Sequence, residues 1–160
     1  MNLIDTTKIT PYIGAGDVLI AIAHYLPRNR RCFKIAKEDS EYENPPRQPI
    51  HTFFFEQKKD FPDLLKNLSF HEKYTLPHSR ELETDISTLF ACGFIVVASN
   101  SPWHYHLAGI CDNAFEEMLV PEIGPPAAQR RKITLEQDLQ FQDLTKRFDE
   151  KVAVNTKFRC

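Results

Sequence analysis

His104 and His106 are the residues whose type and spacing most directly suggest chemistry. They sit two apart in the alternating run Trp103-His104-Tyr105-His106-Leu107. On an extended strand they leave the same face and could share a metal ion, with His71 or His78 as further ligands. No H-E-x-x-H helix and no cysteine cluster accompanies them, and hairpin positions of this kind are ordinarily exposed, so hydrogen bonding to a partner is the simpler use. The sequence therefore predicts no cofactor, with His104 and His106 as the residues of a metal alternative. Cys32, Cys92, Cys111 and Cys160 are scattered without a C-x-x-C pair, the pattern of free thiols in a reducing compartment. Cys92 and Cys111 have no neighbouring cation to mark either as a nucleophile. Gly14-Ala15-Gly16 precedes a helix but lacks the lysine and spacing of a phosphate-binding loop.

Two groups of cations are dense enough to meet phosphates or an acidic partner: Arg28, Arg30 and Arg31, and separately Arg130, Arg131 and Lys132. Over the whole chain 20 Lys+Arg face 22 Asp+Glu, a net charge of -2, so no global positive field draws the protein to nucleic acid or anionic lipid. The longest uncharged stretch, Phe94 to Leu107, is broken by Asn100, Pro102 and two histidines, well short of the about 18 apolar residues a membrane span needs. Met1 to Asp5 carries an acid where a signal peptide carries a cation. These features predict a cytoplasmic chain without membrane contact.

The elements that must position these residues are mostly helical. At 160 residues the chain predicts a single domain, with a core over residues 10–121, a linker over 122–133 and a C-terminal helix over 134–152. Val18 to Leu26 reads as an apolar helix capped by Asp17 and ended by Pro27. Ile50 to Phe55 suits a buried strand or a helix equally, while Phe61, Leu64, Leu65 and Leu68 keep the spacing of a short helix. Ser79 then opens a helix whose first turn holds Glu81 and Glu83, whose apolar face is Leu82, Ile86, Leu89 and Phe90, and which Gly93 closes. Phe94 to Ala98 and Trp103 to Leu107 read as the strands of a hairpin, so helix, glycine and hairpin follow one another as in a winged helix. In a DNA-reading winged helix the recognition helix presents cations or amides, yet Ser79 to Ala91 offers Arg80 against Glu81, Glu83 and Asp85. Asp112 is placed to cap a further helix carrying Phe115, Met118 and Leu119, ahead of the stiff Gly124-Pro125-Pro126 break. Thr134 to Gln137 is a capping box, and Leu135, Leu139, Leu144, Phe148 and Val152 form a stripe along the helix that follows. That stripe either packs on the chain's own core or serves as a dimerising or partner-binding arm.

The run Leu68-Ser69-Phe70-His71-Glu72-Lys73-Tyr74-Thr75-Leu76-Pro77-His78-Ser79-Arg80-Glu81-Leu82, continued through Ile86, Leu89 and Gly93-Phe94-Ile95, resembles the bacterial Panacea and SocA-like antitoxin domains and their YwgA-like relatives. Those domains show an aromatic strand, a tyrosine, a Gly-Pro-Tyr-Ser-like turn and an acidic, leucine-faced helix with a glycine-aliphatic exit. The likeness covers residues 50–95, and Ile50 to Phe55 takes the place of that family's core helix, which favours helix there. Of the turn motif Pro77 and Ser79 are kept, with Leu76 and His78 where glycine and an aromatic stand, and His51-Thr52 replaces a Gln-Lys pair. The resemblance implies a helical, winged-helix-like, non-catalytic module that acts through protein contacts, often in toxin neutralisation or phage-related regulation.

The expected protein is accordingly mainly α with a small β-hairpin, a winged-helix-like domain plus a long C-terminal helix, and not an enzyme. Its expected function is regulatory binding of another protein in an antitoxin-, immunity- or phage-related role. Arg80, Trp103, His104, Tyr105 and His106 are the contact residues, and residues 134–152 are the route to a homo-oligomer. The alternatives are a DNA-binding transcriptional regulator using Arg28, Arg30 and Arg31, and a small metal-dependent enzyme using His104 and His106.

Overall fold

The computed structural model describes residues 13–34, 48–73, 76–97, 104–108, 110–119 and 133–154. Over these residues the fold is mostly helical, with a four-stranded and a two-stranded antiparallel sheet. Helix α1 (Ala15–Tyr25) is central: Val18, Leu19, Ala21, Ile22 and Ala23 are fully buried, and α3, α4 and α5 all lie against it. The residue that caps it is Gly14, not Asp17, which stands one turn inside and accepts the Gly14 N–H at 3.1 Å. A second carboxylate, Asp85, reaches over from α3 to accept the Gly16 N–H at 2.9 Å. Free amides at a helix start carry partial positive charge, so two anions hold this end in place. Leu26 is extended ahead of Pro27, as the residue before a proline must be.

A 3-10 turn over Arg28–Arg30 leads into β1 (Cys32–Lys34), a strand too short for periodicity to reveal. Helix α2 (Gln48–Gln57) buries Ile50, Phe53 and Phe54, in line with helix rather than strand at this point. The expected helix over 61–68 is instead a series of turns. Within it Leu65 N–H reaches Phe61 O but Leu68 N–H reaches only Leu65 O, so no continuous ladder forms. Phe61, Leu64, Leu65 and Leu68 are nonetheless buried, because irregular backbone can deliver the same side chains to the core. Next comes a small hairpin, β2 (His71–Lys73) with β3 (Leu76–His78), which lies on α2.

Helix α3 (Arg80–Ala91) has both expected ends. The Ser79 hydroxyl accepts the Leu82 N–H, and Gly93, at φ 82, closes a reciprocal cap in which Phe94 N–H reaches Leu89 O and Gly93 N–H reaches Phe90 O. The chain then forms β4 (Ile95–Val97) and β5 (His104–Leu107), and these join β1 and the C-terminal β6 (Ala153–Val154) in the order β4-β5-β1-β6. Phe33 of β1 faces Tyr105 of β5 across the ladder, and its ring packs edge-on against both Tyr105 and Phe148 of α5.

Helix α4 (Ile110–Leu119) starts before Asp112, so that residue does not cap it. The Gly124-Pro125-Pro126 break and Arg130, Arg131 and Lys132 lie outside the described residues. Helix α5 (Leu135–Lys151) begins at the expected capping box, with Thr134 and Gln137 exchanging side-chain to backbone bonds at 2.9 and 3.1 Å. Its inward face differs from the expected stripe. Gln137, Phe141, Leu144, Thr145 and Phe148 are buried, whereas Leu135 and Leu139 are 68% and 63% exposed. The buried polar residues fit because each satisfies itself locally: Gln137 in the capping box, Thr145 through a 2.7 Å bond to Phe141 O. The helix covers α1 and α2 of its own chain. Among the described residues no helix is long and apolar enough to cross a membrane.

Candidate functional site

The hairpin that ends the sheet is positioned by the glycine cap of α3, which turns the chain directly from Phe90 and Ala91 into β4. Val97 pairs with Tyr105 across the ladder, and the Phe90 ring lies 5.9 Å from the Tyr105 ring. Tyr105 itself is buried, pinned between Phe33 and Phe90, so it supports a surface rather than forming one. The exposed apolar side chains here are Phe90 and Val97, 45% and 41% accessible, beside the edge strand β4. His106 projects from the opposite sheet face, half-buried and level with Cys32 and Val96. Its Nδ1 is buried with no hydrogen-bond partner among the described residues. Burial, then the charge of Arg31, holds its imidazole below the usual histidine range. His104 occupies the expected strand position two residues earlier, and Trp103 lies outside the described residues.

Arg80 is not part of this group. It opens α3 whereas Phe90 nearly closes it, a separation of about 15 Å along the axis. There it lines a shallow concavity with Ala15, Asn67, Glu81, Thr84 and Asp85. The expected contact set is therefore split between the two ends of one helix.

The three arginines expected to meet phosphate are also divided. Arg31 is buried, and its guanidinium grips Asp112 with two parallel bonds of 2.9 and 3.0 Å while its Nε donates to Leu26 O. His24 Nδ1 meets the same Asp112 oxygen at 3.1 Å and stacks on Phe115. Arg30 binds the Asp149 carboxylate at 2.6 Å and the carbonyls of Asp149 and Ala153, tying α5 and β6 to the 3-10 turn. Only Arg28 of the three is exposed. Two of the three cations are thus structural, since a fork-shaped donor already engaged by a carboxylate and by backbone carbonyls has little left for a polyanion.

Tyr25 and Cys111 are structural too. Tyr25 donates a short hydrogen bond to Asp138, and burial together with that carboxylate pushes the phenol up to about 12. Burial likewise pushes the Cys111 thiol up to about 11, the opposite of an activated nucleophile. Cys32 is buried, and Cys92 is exposed at the end of α3.

One convergence of chemistry-bearing side chains was not anticipated as a unit. His51 from α2, His78 from β3 and Glu83 from α3 bring donor atoms within 4.8 Å of one another. The His51 and His78 rings stack at 4.4 Å, and His71, opposite His78 in the small hairpin, sets its ring edge-on at 5.2 Å. His51 is completely buried and bonded on both sides: Nδ1 accepts the Ser79 N–H at 3.0 Å, which puts the ring hydrogen on Nε2, where it donates to Glu83 at 2.9 Å. The imidazole therefore bridges α2 to the first turn of α3. His71 and His78 are visible in the sequence as extra histidines, but His51 and Glu83 lie 32 residues apart and only tertiary packing joins them.

Compared with family models, with curated proteins and with solved structures, the chain matches none of them.

Proposed function

We propose that this chain is a non-catalytic regulatory module of winged-helix-like build that acts by binding another protein, in an antitoxin-, immunity- or phage-related role. The order α1, β1, α2, the small β2–β3 hairpin, α3 and then β4–β5, with β1 beside β5, supports the winged-helix reading, to which the β2–β3 hairpin is an addition. The observation that carries the binding role is the placing of Phe90 and Val97, two exposed apolar side chains backed by buried Tyr105, at β4, the end strand of the sheet among the described residues. Large apolar side chains on a rigid support are the usual anchors of protein interfaces, and an edge strand can be extended by a partner's backbone. His104 and His106 lie on β5, the partner strand of β4, with His106 on the opposite face of the sheet, and Arg80 stands apart at the other end of α3. Self-association through residues 134–152 would use Leu135 and Leu139, the apolar side chains that α5 leaves outside.

Two observations weigh against the DNA-binding alternative. Arg30 and Arg31 already hold Asp149 and Asp112, and the exposed side of α3 near its start is acidic. The test is affinity capture from the source cell with the wild-type chain and a Phe90→Glu, Val97→Glu double variant. A discrete protein retained by the first and lost by the second is the expected result. Duplex DNA captured in a salt-dependent manner by both would overturn the proposal.

A further inference from the structure

We propose that His51 is an acid-sensitive latch between α2 and the junction of β3 with α3, closed while its ring is neutral and opened when Nδ1 takes up a proton. The inference is independent of the protein-binding role. It starts from a fully buried imidazole whose two nitrogens play opposite parts: Nδ1 accepts the Ser79 N–H at 3.0 Å, and Nε2–H donates to Glu83 at 2.9 Å. An imidazolium carries a hydrogen on both nitrogens, so the charged ring cannot keep the first of these bonds.

The groups around the ring bear differently on its two forms. Glu83 of α3 meets Nε2–H in both and, as a carboxylate, favours the charged one. The Ser79 amide does the reverse: it is fully buried, and a second N–H aimed at it would leave both donors without an acceptor. His78 of β3 stacks on His51 at 4.4 Å, and His71 of β2 lies edge-on to His78 at 5.2 Å. Like charges in such a row repel, and moving the hairpin away from α2 relieves them. Glu81 accepts the Ser79 hydroxyl at 3.1 Å, and Arg80 is exposed next to it, so both act on the start of α3 rather than on the ring. Glu72 alternates to the other face of β2. Arg147 and Lys151 of α5 hold Asp60 and Glu56, toward the far end of α2. Acid therefore exchanges a bridge with two anchors for one held by Glu83 alone, and water must enter to satisfy the Ser79 amide.

The test is amide hydrogen exchange of the full chain from about pH 8 to about pH 5, the interval in which histidine changes charge, with each rate corrected for its intrinsic pH dependence. The expected result is a loss of protection of at least about tenfold at Ser79 and along β2 and β3, while the amides of α1 and α5 keep theirs. His51→Gln has no second proton to take up and should abolish the pH dependence at Ser79, whereas His106→Gln should leave it in place. The wild-type chain carries the decision, since a buried substitution can disturb folding. Wild-type protection at Ser79 that is constant over the interval, or that falls only in step with α1 and α5, would overturn the proposal, as would an undiminished loss in folded His51→Gln.

Discussion

Replacing Asp112 by asparagine keeps the side-chain shape and removes the charge that a buried guanidinium faces. Arg31 has 8% of its side chain accessible and holds Asp112 with two parallel bonds, so the substitution leaves a cation facing one neutral acceptor. Removing one partner of a fully buried pair costs about 3–5 kcal/mol. The Asp112 side chain is 29% exposed, so water offsets part of that loss and about 2–3 kcal/mol is the working figure. In a chain of this size that lowers Tm by about 4–12 °C. The pH dependence gives a second readout. Burial raises the Asp112 carboxyl, but hydrogen bonds and charge from Arg31, joined by His24, outweigh it and hold the group below its ordinary 3.8. The native state then binds fewer protons than the unfolded one, so the contribution is fully present above 3.8 and disappears as pH falls through the folded value. Thermal melts followed by circular dichroism should show the gap between wild type and Asp112→Asn at neutral pH, narrowing in strong acid. Melting temperatures within about 1 °C at neutral pH would refute the reasoning, since Arg31 would then be solvated rather than paired.

Gly93→Ala meets no neighbour, but φ 82 disfavours any Cβ, so a loss of about 1–2 kcal/mol in chemical denaturation is expected, with Gly93→Asn milder. Ser79→Ala removes the α3 cap and should cost about 1 kcal/mol in the same measurement. Ending the chain after Pro126 strips away Phe141, Leu144 and Phe148, all fully buried, at about 1.5–3 kcal/mol each; the product should show no cooperative melt, whereas an unchanged Tm would make α5 a separate arm. Burial and Arg31 lower the His106 pKa, so the unfolded chain protonates first and wild-type stability should fall as pH drops from 6.5 through the folded value. His106→Gln should flatten that slope in melts run across the interval.

The best-read part of the fold is α3 and the hairpin after it, because caps and turns act locally: Ser79, Glu81, Glu83 and Gly93 state the boundaries without help from distant residues. The same holds for the Thr134 capping box. Hydrophobicity alone selects Leu135 and Leu139 for the inner face of α5, yet both are exposed. The helix instead admits Gln137 and Thr145, whose hydrogen bonds close within one turn. Strands β1 and β6 span three and two residues, below any visible period, and are made by pairing with β5 and with one another. Arg30 and Arg31 looked like a phosphate-seeking cluster because their partners, Asp149 and Asp112, lie 119 and 81 residues away. The His51, His78 and Glu83 convergence is hidden for the same reason, and the length of α3 is what separates Arg80 from the hairpin that follows the helix.

The central claim is that the Phe90 and Val97 surface binds a protein. A photo-crosslinking amino acid placed at position 90 or 97 of the full chain in its source cell tests this directly, with Lys59 and Lys66, exposed on other elements, as control positions. The account predicts one discrete protein adduct from positions 90 and 97 and none from the controls. Adducts of equal yield from all four positions, or crosslinks to nucleic acid alone, would contradict it.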